Sequence, residues 1–287
     1  SRPIAVAVIE ERLGVGYERT LLPVNCSGAT ALRDVGTGRL FAVQRVPAMA
    51  MDRTRAQHVE LIVADLQPRQ RLQLTPSTVG SADSAEPIML EQSAQQTIIR
   101  NGRLAVRLPR EGLARPPFPG PIDAFQLDGG SWCGRMALVD APGHGLVTTV
   151  IESIGPVCVQ WRTTYRWGGN VRCTWRVRWA AGSDTLLVEN DANADTAAAI
   201  EWLPFGREPA QAWMMGGGEK LKPMQPMTWR TLSSDEASAT ADRGPASASR
   251  RELHQVGHIG YFHQWTLGWV GFTGGPDRFA GGFSGWA

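Results

Sequence analysis

Histidine and tyrosine are the side chains that most readily move a proton near neutral pH. This chain gathers His254, His258, Tyr261 and His263 within one short stretch. Gly257 and Gly260 lie between them, so the spacing suits neither a helical His-x-x-x-His zinc pair nor one strand face. No metal is expected here, and without a chemical role these are ordinary packed or surface histidines. A second group is Arg162, Arg166, Arg172, Arg176 and Arg178, spaced by even numbers. Guanidinium forks pair bidentately with carboxylates, so such a ladder could hold uronate groups of an acidic sugar. Alternatively, Glu152, Glu189 and Asp191 on adjoining strands neutralise it as a cross-strand charge lattice. A third group is aromatic: Trp213 and Trp229 stand in loop-like sequence, where an indole face can receive the apolar face of a sugar ring.

The arginines belong to VCVQWRTTYRWGGNVRCTWRVRW, residues 157–179. Its odd positions carry Val157, Val159, Trp161, Thr163, Tyr165 and Trp167, then Val171, Cys173, Trp175, Val177 and Trp179. Strict alternation of this length predicts two long strands, each with one apolar and one polar face. Gly168-Gly169-Asn170 supplies the positive φ angles of a tight hairpin turn. A face with four tryptophans must be covered, which predicts a second sheet packed on it. At core parity, Trp161, Trp167, Trp175 and Trp179 are packing residues.

Short alternating segments precede the hairpin. Strands are predicted at Ile4–Ile9, Leu21–Val24, Ala31–Asp34, Leu40–Val46, His58–Val63 and Arg71–Leu74, at the spacing of a small barrel or sandwich. Residues 77–95, rich in Ser, Ala, Thr and Glu, read as a linker. Further strands are predicted at Thr97–Ile99, Leu104–Leu108, Ile122–Leu127, Ser131–Val139, Leu146–Ile154 and Thr185–Asn190. The proline-rich stretch Arg110–Pro121 reads as loop, and so does Pro204–Arg230. Ala192–Ala199 alone has helical propensity, and Ser233–Ser249 is a low-complexity surface loop. The expected fold is all-β: a small N-terminal β-barrel (1–76), a linker (77–95) and a large antiparallel β-sandwich (96–287).

Composition narrows the function classes. Hydrophobic content of 43% and charged content of 20% belong to a folded globular chain. A net charge of +2 lacks the basic footprint of a nucleic-acid binder. Of its 29 basic residues only Lys220 and Lys222 are lysines, a bias that a GC-rich genome explains as well as selection for bidentate donors. Cys26, Cys133, Cys158 and Cys173 form no Cys-x-x-Cys pair. Cys158 and Cys173 have opposite parity, so reduced, buried thiols are expected. No apolar run approaches a membrane span. The chain begins without a signal peptide, as a cytosolic or processed protein would. It ends inside an apolar strand-like stretch, which suggests a piece of a longer polypeptide. There is no Gly-x-Ser-x-Gly, dinucleotide or P-loop fingerprint; Gly216-Gly217-Gly218-Glu219-Lys220 lacks the Walker spacing. No cofactor is expected. Carboxylate pairs for glycoside hydrolysis could be drawn from Glu152, Glu189, Asp191, Asp195 and Glu201, but nothing selects two of them.

The segments ALRDVGTGRLFAVQRV and HVELIVADLQPRQRLQL resemble the N-terminal barrel of the exo-rhamnogalacturonan lyase-like family, polysaccharide lyase family 26 and its relatives. TIIRNGRLAVRLPREG, DAFQLDGG and VIESIGPVCVQWRTTYRW are similar to the super-β-sandwich that follows it, and GWVGFTGGPDRFAGGFSGWA to that sandwich's later strands. The resemblance implies a carbohydrate-active, secreted or periplasmic bacterial protein. It would act on uronate-containing, rhamnogalacturonan-type glycan by β-elimination, with His258, Tyr261 and His263 as its base candidates. Arg162, Arg166, Arg176, Trp213 and Trp229 would bind substrate. Acidic polysaccharide is the expected partner, with neither nucleic acid nor membrane. Such lyases continue into an α/α-toroid before which this chain stops, so that the helical machinery would be either a missing C-terminal domain or absent from this protein. The alternative is a non-catalytic carbohydrate-binding or architectural β-module of a larger enzyme.

Overall fold

The computed structural model describes residues 7–26, 28–52, 54–77, 87–102, 104–127, 130–133, 135–139, 143–168 and 171–192, together with the backbone of strands between 199 and 284. The chain is all-β, its strands paired in antiparallel sheets. The one helical element among the described residues is a 3-10 turn, Ala50–Asp52. The chain divides into two compact units, 1–114 with 121–132 and 144–194, and 115–120 with 133–143 and 195–287.

The first unit opens with β1 (Ala7–Glu10), β2 (Tyr17–Val24), β3 (Ala31–Asp34), β4 (Leu40–Ala42), β5 (Gln44–Pro47), β6 (His58–Leu66) and β7 (Arg71–Pro76). They form two sheets, ordered β1-β7-β3-β4 and β2-β6-β5. One apolar core joins them: Leu32, Phe41, Leu72 and Leu74 from the first sheet meet Val24, Ile62, Ala64 and Leu66 from the second. The segment Leu40–Val46, which reads as one strand, is split at Val43. Val43 donates to Thr30 O (2.9 Å) between the two halves, so the chain leaves one sheet and enters the other. The buried parity changes there, from Phe41 to Gln44 and Val46, a change that the continuous apolar run LFAV conceals.

Next come β8 (Met89–Gln92), β9 (Thr97–Arg100), β10 (Leu104–Arg107), β11 (Gly112–Ala114), β12 (Phe118–Pro119), β13 (Ala124–Leu127), β14 (Trp132–Cys133), β15 (Arg135–Val139), β16 (Gly145–Ile154), β17 (Cys158–Arg166), β18 (Arg172–Ala180) and β19 (Leu186–Ala192). β8 lies in the stretch read as linker and pairs with β9. The proline-rich stretch read as loop holds two short strands, β11 and β12. β11 sits at a sheet edge and β12 is two residues long with one partner, β15, where a proline's missing N–H is tolerated. One sheet of the first unit contains β13-β10-β9-β8 in that order; the other is β11-β16-β17-β18-β19.

The long hairpin forms as its alternation predicts. β17 and β18 pair from Cys158↔Ala180 to Arg166↔Arg172 without a slip, and Trp167 N closes the turn on Val171 O (2.9 Å). Val159, Trp161, Thr163, Tyr165, Val177 and Trp179 are fully buried on one face. Ile98, Ile99, Leu104, Ala105 and Val106 of β9 and β10 are also buried, an arrangement consistent with a β-sandwich. Trp161 Nε1 donates to Pro121 O (3.2 Å) and Trp179 Nε1 to Ser183 O (2.8 Å), so the N–H groups of these two fully buried indoles are satisfied. Trp175 shares that parity, opposite Thr163, but is only half-buried, its Nε1 3.1 Å from Cys173 Sγ.

In the second unit β12 and β20 (Ala199–Leu203) flank β15. β21 (Gln211–Met215), β22 (Lys222–Pro223), β23 (Thr228–Thr231), β24 (Arg251–His254), β25 (Gly268–Gly275) and β26 (Arg278–Ser284) complete the chain, with a sheet ordered β22-β21-β25-β26 and a β23–β24 pair. β21, β22 and all but the last residue of β23 fall within 204–230, which reads as loop. Five residues or fewer between Pro and Gly clusters carry too little periodicity to register as strands. The predicted helical stretch and the Ser/Ala-rich loop lie almost wholly outside the described residues.

Candidate functional site

The polar face of the β16–β19 sheet is built of cross-strand rows that the register dictates. Leu146, Arg166 and Arg172 form one row, and Thr148, Thr164, Thr174 and Asp191 the next. Val150, Arg162, Arg176 and Glu189 form the third, followed by Gln160, Arg178 and Leu187. Arginine therefore opposes arginine directly at 166/172 and at 162/176, an arrangement that needs compensation.

Compensation comes largely from Glu152. The β16–β17 register shifts between Ile151 and Ser153, which makes Glu152 a bulge residue; bulges re-aim a side chain. Its carboxylate, 9% exposed, lies 3.0 Å from Arg162 Nε and 3.3 Å from Arg176 Nε. It also accepts from Gln160 Nε2 at 2.9 Å. Glu189 adds a second contact to Arg176, at 3.5 Å. The charge lattice is thus present at the third row, with Glu152 and Glu189 as two of the three acids named for it. Arg162 Nε is buried and, although at ion-pair distance from Glu152, donates no hydrogen bond.

The fourth row is closed by the N-terminal strands. Arg178, 1% exposed, donates to Asp52 Oδ1 from Nη1 (2.7 Å), to Asp52 Oδ2 and Pro47 O from Nη2 (2.9 and 3.0 Å), and to Gln160 Oε1 from Nε (2.8 Å). Nothing in the hairpin's own sequence marks Arg178 as covered. Its partner is 126 residues away, in a turn without a periodic signature.

What remains open is a depression of about 150 Å³ lined by Arg162, Arg172, Thr174, Arg176, Glu189 and Asp191. A cavity of 150 Å³ accepts one six-membered ring. Arg166 stands beside Arg172, exposed, and makes no ion pair with any described residue. The structure thus brings Arg162, Arg166 and Arg176 together on one face and adds Arg172, Thr174 and Asp191. Trp213 and Trp229 lie on β21 and β23, where the backbone alone is described. His258, Tyr261 and His263 lie outside the described residues.

Three of the four thiols are sequestered. Cys26, Cys158 and Cys173 are free and buried. Burial pushes Cys158 up to about 12. Burial and the hydrogen bond to Glu60 push Cys26 up to about 11. Neither is a nucleophile near neutral pH. Among the described residues no group of three His, Cys, Asp or Glu side chains is placed to hold a metal, and no helix is long and apolar enough to cross a membrane. Comparison with protein-family models and with curated proteins returns no match to this chain.

Proposed function

We propose that the chain is a carbohydrate-binding β-module that holds acidic glycan on the open face of the β16–β19 sheet. The observation that carries this reading is the depression between Arg162, Arg172, Arg176, Glu189 and Asp191, with Arg166 beside it. It is sized for one ring, and its wall mixes guanidinium donors for a carboxylate with acceptors for sugar hydroxyls. Each exposed guanidinium–carboxylate contact contributes on the order of 1 kcal/mol, so binding of a single ring is weak.

The catalytic form of the same idea, β-elimination on a uronate chain, needs a base and a cation near the abstracted proton. Its base candidates would be His258, Tyr261 and His263. Incubation with rhamnogalacturonan separates the two forms. Retarded migration in a glycan-containing native gel, without new ultraviolet absorbance from unsaturated chain ends, is the result expected of a binding module. Accumulating absorbance would make the chain a lyase, and neither retardation nor product would overturn both.

A further inference from the structure

The sign pattern around the depression constrains its ligand more tightly than acidity alone. Three arginines line it together with Glu189 and Asp191, and Glu152 pairs with two of the three, Arg162 and Arg176. The adjacent Arg166 is the cation without an ion-pair partner among the described residues. A bare cationic patch would hold any polyanion by counterion release and charge density. Here the surplus is a single positive charge, and two acids stand in the wall.

We propose that Glu189 and Asp191 are specificity-determining residues that restrict this face to rings carrying one carboxylate, rejecting glycans of denser negative charge. The proposal rests on the glycan-binding reading. One ring carboxylate can pair with Arg166 and Arg172 while neighbouring hydroxyls donate to Asp191 and Glu189. A second anionic group on the same ring meets those carboxylates instead, and like-charge juxtaposition is how an interface excludes a wrong partner. The threonine row adds donors and acceptors indifferent to charge: Thr164 and Thr174 face each other between the two arginine pairs.

Native-gel retardation by polygalacturonate, dextran sulfate and neutral dextran tests this, with polymer concentrations matched by sugar unit. The wild-type chain is expected to bind polygalacturonate roughly tenfold tighter than dextran sulfate and to ignore dextran. Asp191→Asn and Glu189→Gln, each of unchanged size, are expected to raise dextran sulfate binding about tenfold and to weaken polygalacturonate binding, collapsing the ratio. Asp191 is exposed on the edge strand β19, so its variant keeps the fold even if loss of the Glu189 contacts disturbs it. Equal wild-type binding of both polyanions overturns the proposal, as does an unchanged ratio in Asp191→Asn. Absence of binding to any of the three polymers overturns the glycan-binding reading itself.

Discussion

Arg178 and Asp52 form a two-pronged ion pair, at 2.7 and 2.9 Å, with the guanidinium 1% and the carboxylate 7% exposed. It joins the 3-10 turn after β5 to β18. Taking both charges out of water is costly, and removing one partner strands the other. Asp52→Ala is therefore expected to lower unfolding stability by about 3–5 kcal/mol in urea titrations. Adding Arg178→Met to that variant should recover a substantial part of the loss. Equal stability of the wild type and Asp52→Ala would contradict the pairing.

Gln44 makes the second joint. Its Oε1 accepts from Val157 N (3.0 Å) and Cys158 N (2.9 Å), and its Nε2 donates to Cys158 O and Ser153 Oγ (both 2.9 Å). It replaces the backbone partners that the start of β17 would otherwise lack. Gln44→Leu keeps the volume but orphans buried backbone groups, each costing about 1–3 kcal/mol. A loss of at least about 2 kcal/mol is expected, together with faster amide exchange at Val157 and Cys158. Gly155 belongs to the same joint: a Cβ there would come within 2.6 Å of the Gln44 amide.

The thiols set an alkaline limit. In the unfolded chain they ionise near pH 9, whereas the folded chain keeps Cys26 and Cys158 protonated up to about 11 and 12. The unfolded state thus releases protons first, and stability falls as pH rises from about 9 towards 12. Unfolding at pH 8 and pH 10 should show this loss, and Cys158→Ala should reduce it. In a Cys133→Ser background, no thiol should react with a disulfide reagent at pH 8 until the chain unfolds. Stoichiometric labelling of the native protein would contradict the burial.

The fold was most legible where alternation was longest. Residues 157–179 alone define the hairpin, its buried face and the opposed arginine pairs, because each side chain's face follows from parity. The neutralising role of Glu152 was also readable, though the bulge that aims it at both Arg162 and Arg176 was not. What parity cannot show is what lies over a face. Arg178 and Arg176 share type and parity, yet one is buried by Asp52 and the other opens on the depression. That difference is set by a tertiary contact across 126 residues. Short edge strands such as β11 and β12 escaped because pairing with a longer neighbour, rather than their own sequence, makes them strands.

The salt dependence of polygalacturonate binding by the wild type and by Arg166→Ala/Arg176→Ala addresses the central claim most directly. If the open face holds acidic sugar, the double variant should bind about tenfold or more weakly, with a flatter dependence on salt, since each lost contact is worth roughly 1 kcal/mol. Arg166 has no ion-pair partner to lose among the described residues; any stability change should therefore trace to the Arg176 contacts with Glu152 and Glu189. Unchanged affinity and salt slope in a folded double variant would contradict it, leaving the ladder as a charge lattice alone.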